Sequence, residues 1–261
     1  MERDERASYD RALRQARVTA YAPGEFIGQE SFMRASEIRA LAVRAGIAPG
    51  VSVLDLCCGV AGPGRFVTRE LGCTYLGVDA SPAAVEIARE RAGDLPCRFE
   101  VAQVPPLPAG SFEVVLLLET MLAFPDKEPL LREIAGALEP GGRFAFTLEE
   151  GAPLTPAEQE QMPDADTVWL TPLEEMLALL ERVELGVSWQ EEQSESHRAV
   201  ADSLIDAFTA DTADITAQVG GETLDGLLVS HRLWSDWLRD GRVRKFAFVA
   251  EKATEEESKD A

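Results

Sequence analysis

The run Val53-Leu54-Asp55-Leu56-Cys57-Cys58-Gly59-Val60-Ala61-Gly62-Pro63-Gly64 sets an acid and a small-residue loop between an apolar stretch and a helical one. Small residues let a loop backbone approach a ligand, and a helix N-terminus offers it free N–H groups. Asp79 ends the next apolar run, 24 residues after Asp55. A carboxylate placed there can accept both hydroxyls of a ribose. Together the two acids point to a nucleotide-like ligand. Ser81-Pro82 then caps and opens a helix directly. The four cysteines, Cys57, Cys58, Cys73 and Cys97, show no metal spacing, so they read as reduced residues and no metal is expected.

The elements that must hold these residues alternate along the chain. Short apolar runs at 51–56, 75–78, 98–102, 112–118 and 143–148 predict strands. Helical stretches at 63–71, 82–92 and 127–138 separate them, the last stopped by Pro140-Gly141-Gly142, and residues 30–45 predict a helix on the sheet edge. Alternation of strand and helix implies parallel strands joined by right-handed crossovers. Residues 9–29 read as a flexible segment that carries Tyr9 and Tyr21. Thr155 to Glu158 and Thr171 to Glu174 both match capping boxes, which places helix starts at about 156 and 172. Val183, Leu185, Val187 and Trp189 alternate as a sixth strand, and 244–250 forms a seventh. The insertion between them reads as two or three helices, long enough for a cap or a homodimer surface. The expected units are an N-terminal lid segment at 1–33, a core at 34–193 and 241–252, a helical cap at 194–240 and a disordered acidic tail at 253–261.

Charge narrows the partners. The formal net charge of −21 repels phosphate backbones, so no nucleic-acid substrate is expected. The strongly apolar run at 114–118 is far too short to cross a bilayer, and the charged start of the chain is no signal peptide. A cytoplasmic protein with no membrane partner follows as the expectation.

Four segments make the reading specific. Leu54-Asp55-Leu56-Cys57-Cys58-Gly59, Gly77-Val78-Asp79-Ala80-Ser81-Pro82, Gly110-Ser111-Phe112-Glu113-Val114-Val115 and Leu138-Glu139-Pro140-Gly141-Gly142-Arg143 occur in order over about residues 36–149. Order and spacing resemble the class I S-adenosylmethionine (SAM)-dependent methyltransferases of small-molecule type. The resemblance implies an α/β, Rossmann-like, seven-stranded, mostly parallel sheet with helices on both faces and a helical insertion between strands six and seven. It also implies SAM as cofactor and a small-molecule methyl acceptor, methylated on O, N or C. By the same resemblance, Asp55, Cys57 and Gly59 would hold the methionine end, with Gln29 reaching its carboxylate. Asp79 would take the ribose, Ala80 the adenine face, and Gln103 and Val104 the adenine edge. Glu119 and Thr120 would lie near the sulfonium.

The match has departures. Cys57 and Ala61 stand where the loop pattern has glycine, Gln103 where an Asp is common, and Ala123 where many relatives carry a His. Candidate bases are His231, Glu149 and Tyr21, with His197 and Glu150 behind them. His231 lies in an apolar stripe with Leu224, Leu227 and Trp234, which suits either a packing residue or a base carried by the cap. Two further readings stay open at this point: a cyclase that uses the bound cofactor's charge, and a binding protein without catalysis.

Overall fold

The structure, a computed structural model, describes residues 11–254. Tyr9 and nearly all of the expected acidic tail lie outside them. Seven strands form one sheet: β1 (Ser52–Leu56), β2 (Thr74–Asp79), β3 (Cys97–Val101), β4 (Phe112–Leu117), β5 (Leu138–Glu150), β6 (Leu185–Glu192) and β7 (Arg244–Lys252). Their order is β3-β2-β1-β4-β5-β7-β6. The first five pair in parallel, and β7 runs antiparallel to both neighbours. The order reverses between β1 and β4, so their carboxyl ends open the crevice in which such sheets bind ligands.

Period-two alternation builds the core on both faces. Leu54, Leu56, Val115 and Leu117 pack with α5 (Glu128–Ala137) and α7 (Leu173–Arg182). Val53, Val114 and Leu116 point the other way, toward α2 (Ala35–Arg44), α3 (Gly62–Leu71) and α4 (Pro82–Ala92). With both faces covered, the central strands are apolar along most of their length, Asp55 in β1 being a buried exception.

Between β6 and β7 the insertion folds into α8 (Ser194–Ala210), α9 (Thr212–Val219) and α10 (Gly221–Asp240). It packs on α1 (Arg11–Ala20), where Leu13, Ala16 and Tyr21 meet Val200, Leu204 and Phe208. This corrects the expectation of an irregular segment at 9–29. The apolar stripe of α1 is narrow, and the partner that stabilises it lies far away in sequence, so no local pattern announces it. Helix α2 begins at Ala35 rather than 30, because the preceding residues form a loop stapled by Gln29. Strand β5 reaches back to Leu138: Pro140-Gly141-Gly142 forms an irregularity within the strand, not a gap before it. The Thr155 capping box forms around α6 (Pro156–Gln161), with Glu158 donating from its N–H to Thr155 Oγ1. The expected box at Thr171 does not form, because α7 starts after Pro172 and Thr171 is buried in a bridge to Glu150. Among the described residues no helix is long and apolar enough to cross a membrane.

Candidate active site

Strand β1 delivers Asp55 to the crevice, and the loop after it turns left-handed at Cys57, Gly59 and Ala61, with φ of 57°, 53° and 54°. Cys57 and Ala61 thus adopt the conformation that glycine takes freely, at roughly 1–2 kcal/mol each for an L-residue. The backbone shape of a glycine loop survives their substitution. Gly62 must remain glycine, since a Cβ there would fall 2.4 Å from the carbonyl of Gly28. That contact lays the N-terminal segment across the loop.

A cavity of about 130 Å³ follows, lined by Gln29, Asp55, Cys57, Gly59, Glu119 and Thr120. Asp55 is 3% exposed, and the Tyr75 hydroxyl donates to it at 2.5 Å. Burial pushes its carboxyl up to about 7, with the Tyr75 bond opposing and Asp79 adding to the rise. A buried acid in this condition suits a cationic group such as the ammonium of an amino acid. The cavity is smaller than a whole SAM molecule, which, on the resemblance, would extend along the strand ends. Asp79 stands there, accepting from the Gly59 and Ser81 N–H groups at 2.8 Å each. Its lone pairs still leave room for hydroxyl donors. Ala80 and Gln103 are exposed and Val104 is buried; none of the three lines the cavity.

Two expectations change here. The Gly59 N–H is committed to Asp79 and is not free for the methionine end. Gln29 donates from its amide to the Glu25 and Met33 carbonyls, while its oxygen accepts from the Ile27 N–H. Its amide is therefore a staple of the N-terminal loop, not a free donor for a carboxylate.

A second cavity, of about 340 Å³, lies between cap and sheet. It shares Gln29, Glu30, Ser31 and Glu119 with the first. Its apolar walls include Phe32, Leu122, Leu204, Leu227 and Trp234. His231 enters from α10, its Nδ1 2.7 Å from the Leu227 carbonyl oxygen. That acceptor requires a proton on Nδ1, so the neutral ring keeps a bare Nε2. Burial lowers its pKa to about 4, against the Leu227 bond, which raises it. Phe32 and Phe208 hold the ring edge-on with centroids at 5.3 Å each.

The floor of this cavity is charged. Glu119 leaves the end of β4 with a left-handed φ of 59°. Its Oε1 lies 2.6 Å from Lys245 Nζ, which also contacts Glu149 directly. Burial works against the Lys245 charge, but Glu119 and Glu149 outweigh it and raise the pKa. Glu149 keeps Oε2 buried without a hydrogen-bond partner among the described residues. His197, 1% exposed, lies 3.8 Å from Glu119 and 4.0 Å from Glu37. Burial, then Lys245, pushes it down to about 3, so it stays neutral. Tyr21 lines the cavity, but its hydroxyl donates to the Ser31 carbonyl and burial raises its pKa. Its phenol is a pin for the N-terminal segment, which corrects the expectation of a base.

Sequence reasoning missed Lys245, Glu37, Tyr75 and Phe32. Lys245 had only a weak signal: it is the last of the cations Arg242, Arg244 and Lys245 before the apolar run Phe246-Ala247-Phe248-Val249-Ala250.

Residues 54–146 match the family model described as a methyltransferase domain. Methyltransferase GfsG of Streptomyces halstedii is 29% identical over 206 residues, covering 74% of this chain and 71% of that protein. The 2-methyl-6-phytyl-1,4-hydroquinone methyltransferase of Synechocystis is 35% identical over 97 residues, 36% of this chain and 30% of that one. Phosphoethanolamine N-methyltransferase 2 of Haemonchus contortus, solved with phosphomonomethylethanolamine and S-adenosylhomocysteine, superposes with a TM-score of 0.78 at 21% identity. That fit covers 97% of this chain and 60% of the other. Residues 54–146 thus match a methyltransferase domain, and most of the chain is similar to a methyltransferase. The likenesses support methyl transfer to a small molecule over cyclisation or silent binding. For methyl transfer of this kind the cofactor is already activated: SAM, when bound, would supply an electrophilic methyl on a positively charged sulfur. The protein's own part is to align the acceptor and keep water out.

Proposed function

We propose that this methyltransferase acts on a hydroxyl of a neutral, largely apolar small molecule held in the cap cavity, with His231 as general base. One observation carries the reading: a bare imidazole Nε2 among the apolar walls of a cavity that shares Glu119 with the cofactor cavity. A hydroxyl is a weak nucleophile until its proton leaves, and Nε2 is an acceptor for that proton. The other candidates serve less well. Glu149 is in an ion pair with Lys245, and Tyr21 is itself a donor. The cations of the cavity argue for a neutral acceptor. Arg17 pairs with Glu30 at 2.5 Å, and Lys245 is held by two carboxylates, so neither is offered to a phosphate or carboxylate. In the cofactor cavity, Asp55 would hold the methionine end, with Cys57, Glu119 and Thr120 beside it and Asp79 at the ribose.

The test is methyl incorporation from radiolabelled SAM into fractionated metabolite extracts. His231→Gln should lower the rate by about 10²-fold or more, the size expected for a general base. SAM affinity should not change, because His231 lines only the cap cavity. Since burial lowers the imidazole's pKa to about 4, the wild-type rate at saturating SAM should stay level from neutral pH down to about 5 and fall only below it. Full activity in the variant returns His231 to packing.

A further inference from the structure

On the back of the cofactor loop, α1, α3 and α4 enclose a groove of about 620 Å³. Four arginines line it: Arg14 from α1, Arg65 and Arg69 from α3, and Arg91 from α4. Among the described residues that line it, none is acidic. None of the four pairs with a carboxylate among the described residues. In a chain with 46 acids and 25 bases, such a grouping runs against composition. Arg65 is fixed in place, donating from Nε to the Ala61 carbonyl at 3.1 Å and from Nη1 to the Arg91 carbonyl at 3.3 Å. Burial, then the nearby Arg91 and Arg69, lowers its pKa, the mark of cations crowded without counter-charge. Arg69 and Arg91 sit in last helical turns, where the helix dipole favours each by roughly 0.3–1 kcal/mol. The dipoles account for their places and leave the repulsion between guanidiniums unopposed.

We propose that this groove binds an organic phosphate, its phosphoryl group on the arginines and its apolar body on Phe26, Ile27 and Phe66. Guanidinium forks match phosphoryl oxygens two at a time. The groove exceeds what a lone ion needs and falls within the size of small-molecule sites. Those three apolar residues are half-buried beside the cations. They give the ligand's body a surface that inorganic phosphate cannot use. The site is separate from the acceptor cavity and does not depend on the role given to His231. It does adjoin the cofactor: Gly28 and Gly62 line both this groove and the cofactor cavity, back to back.

Phenyl phosphate is the probe, titrated calorimetrically into the full chain at constant ionic strength in a buffer free of phosphate. Inorganic phosphate and phenol serve as the head-only and body-only ligands. The expected result is one saturable site for phenyl phosphate, at least about tenfold tighter than for either fragment. Arg69→Glu combined with Arg91→Glu should weaken it by at least about tenfold while SAM binding, read in the same samples, persists. If the reversed pair does not fold, Arg69→Ala with Arg91→Ala replaces it with the same expectation. Absence of saturable binding overturns the proposal. So does equal affinity in a folded variant, or a signal that follows ionic strength alone.

Discussion

The raised carboxyl of Asp55 makes cofactor binding a proton-linked event. Free of ligand, the group titrates at about 7 because it is buried, with one hydroxyl donor and no cation. The ammonium of the methionine end, placed beside it, should return it to the ordinary carboxylate range. At about pH 6 only about one molecule in eleven has Asp55 ionised; at about pH 8 about ten in eleven do. Affinity should therefore rise about tenfold between those values, or ~1.4 kcal/mol. S-adenosylhomocysteine is a suitable ligand because it keeps the amino-acid end and is not consumed. Calorimetry at both values, in buffers of different ionisation enthalpy, should detect release of nearly one proton at the lower pH and almost none at the higher. Asp55→Asn should flatten the profile and weaken binding by about 1.5–3 kcal/mol, the worth of a charged hydrogen bond. The same group gives the ligand-free protein a stability term of known sign. Its folded pKa exceeds the unfolded value, so the folded state holds more protons, and stability falls as pH rises from about 4 to about 7. Equal affinity at both pH values, with no proton exchanged, refutes the placement of the ammonium on Asp55.

Asp79→Ala removes the acceptor for Gly59 and Ser81 as well as the expected ribose contact. SAM affinity should drop at least about tenfold with ~1–3 kcal/mol lost from stability, both measurable by calorimetry and urea unfolding. Unchanged affinity means that the nucleotide lies elsewhere. Lys245→Met leaves Glu119 and Glu149 buried without their cation and should destabilise the fold by about 3–5 kcal/mol in urea unfolding near neutral pH. Adding Glu149→Gln should restore part of that loss, and the absence of any recovery refutes charge repulsion as the cause.

The acids proposed for the cofactor come together through local geometry that the sequence already suggests. Asp55, Cys57 and Gly59 follow one strand, Asp79 follows its neighbour, and parallel pairing of β1 with β2 brings the two acids to one edge. Where the loop departs from pattern, Cys57 and Ala61 keep glycine's left-handed backbone. The expectations that failed depended on bonds to partners no motif specifies. Gln29 was read as a ligand donor, yet three backbone groups of its own loop take its amide. Helix α1 was read as part of a flexible segment because the apolar surface that stabilises it belongs to α8 and α9.

Hydrophobic period, caps and turn residues determined the strand-helix alternation, the cofactor crevice and the presence of a helical insertion. These features repeat over a few residues, and short-range sterics enforce them. Only the tertiary structure decided what the insertion covers and which charges meet beneath it. Lys245, Glu119 and Glu149 come from three strands, and His197 and His231 from two cap helices, so their distances are set by how whole elements pack. Desolvation follows from the same packing and fixes their protonation, a quantity that no stretch of chain carries by itself.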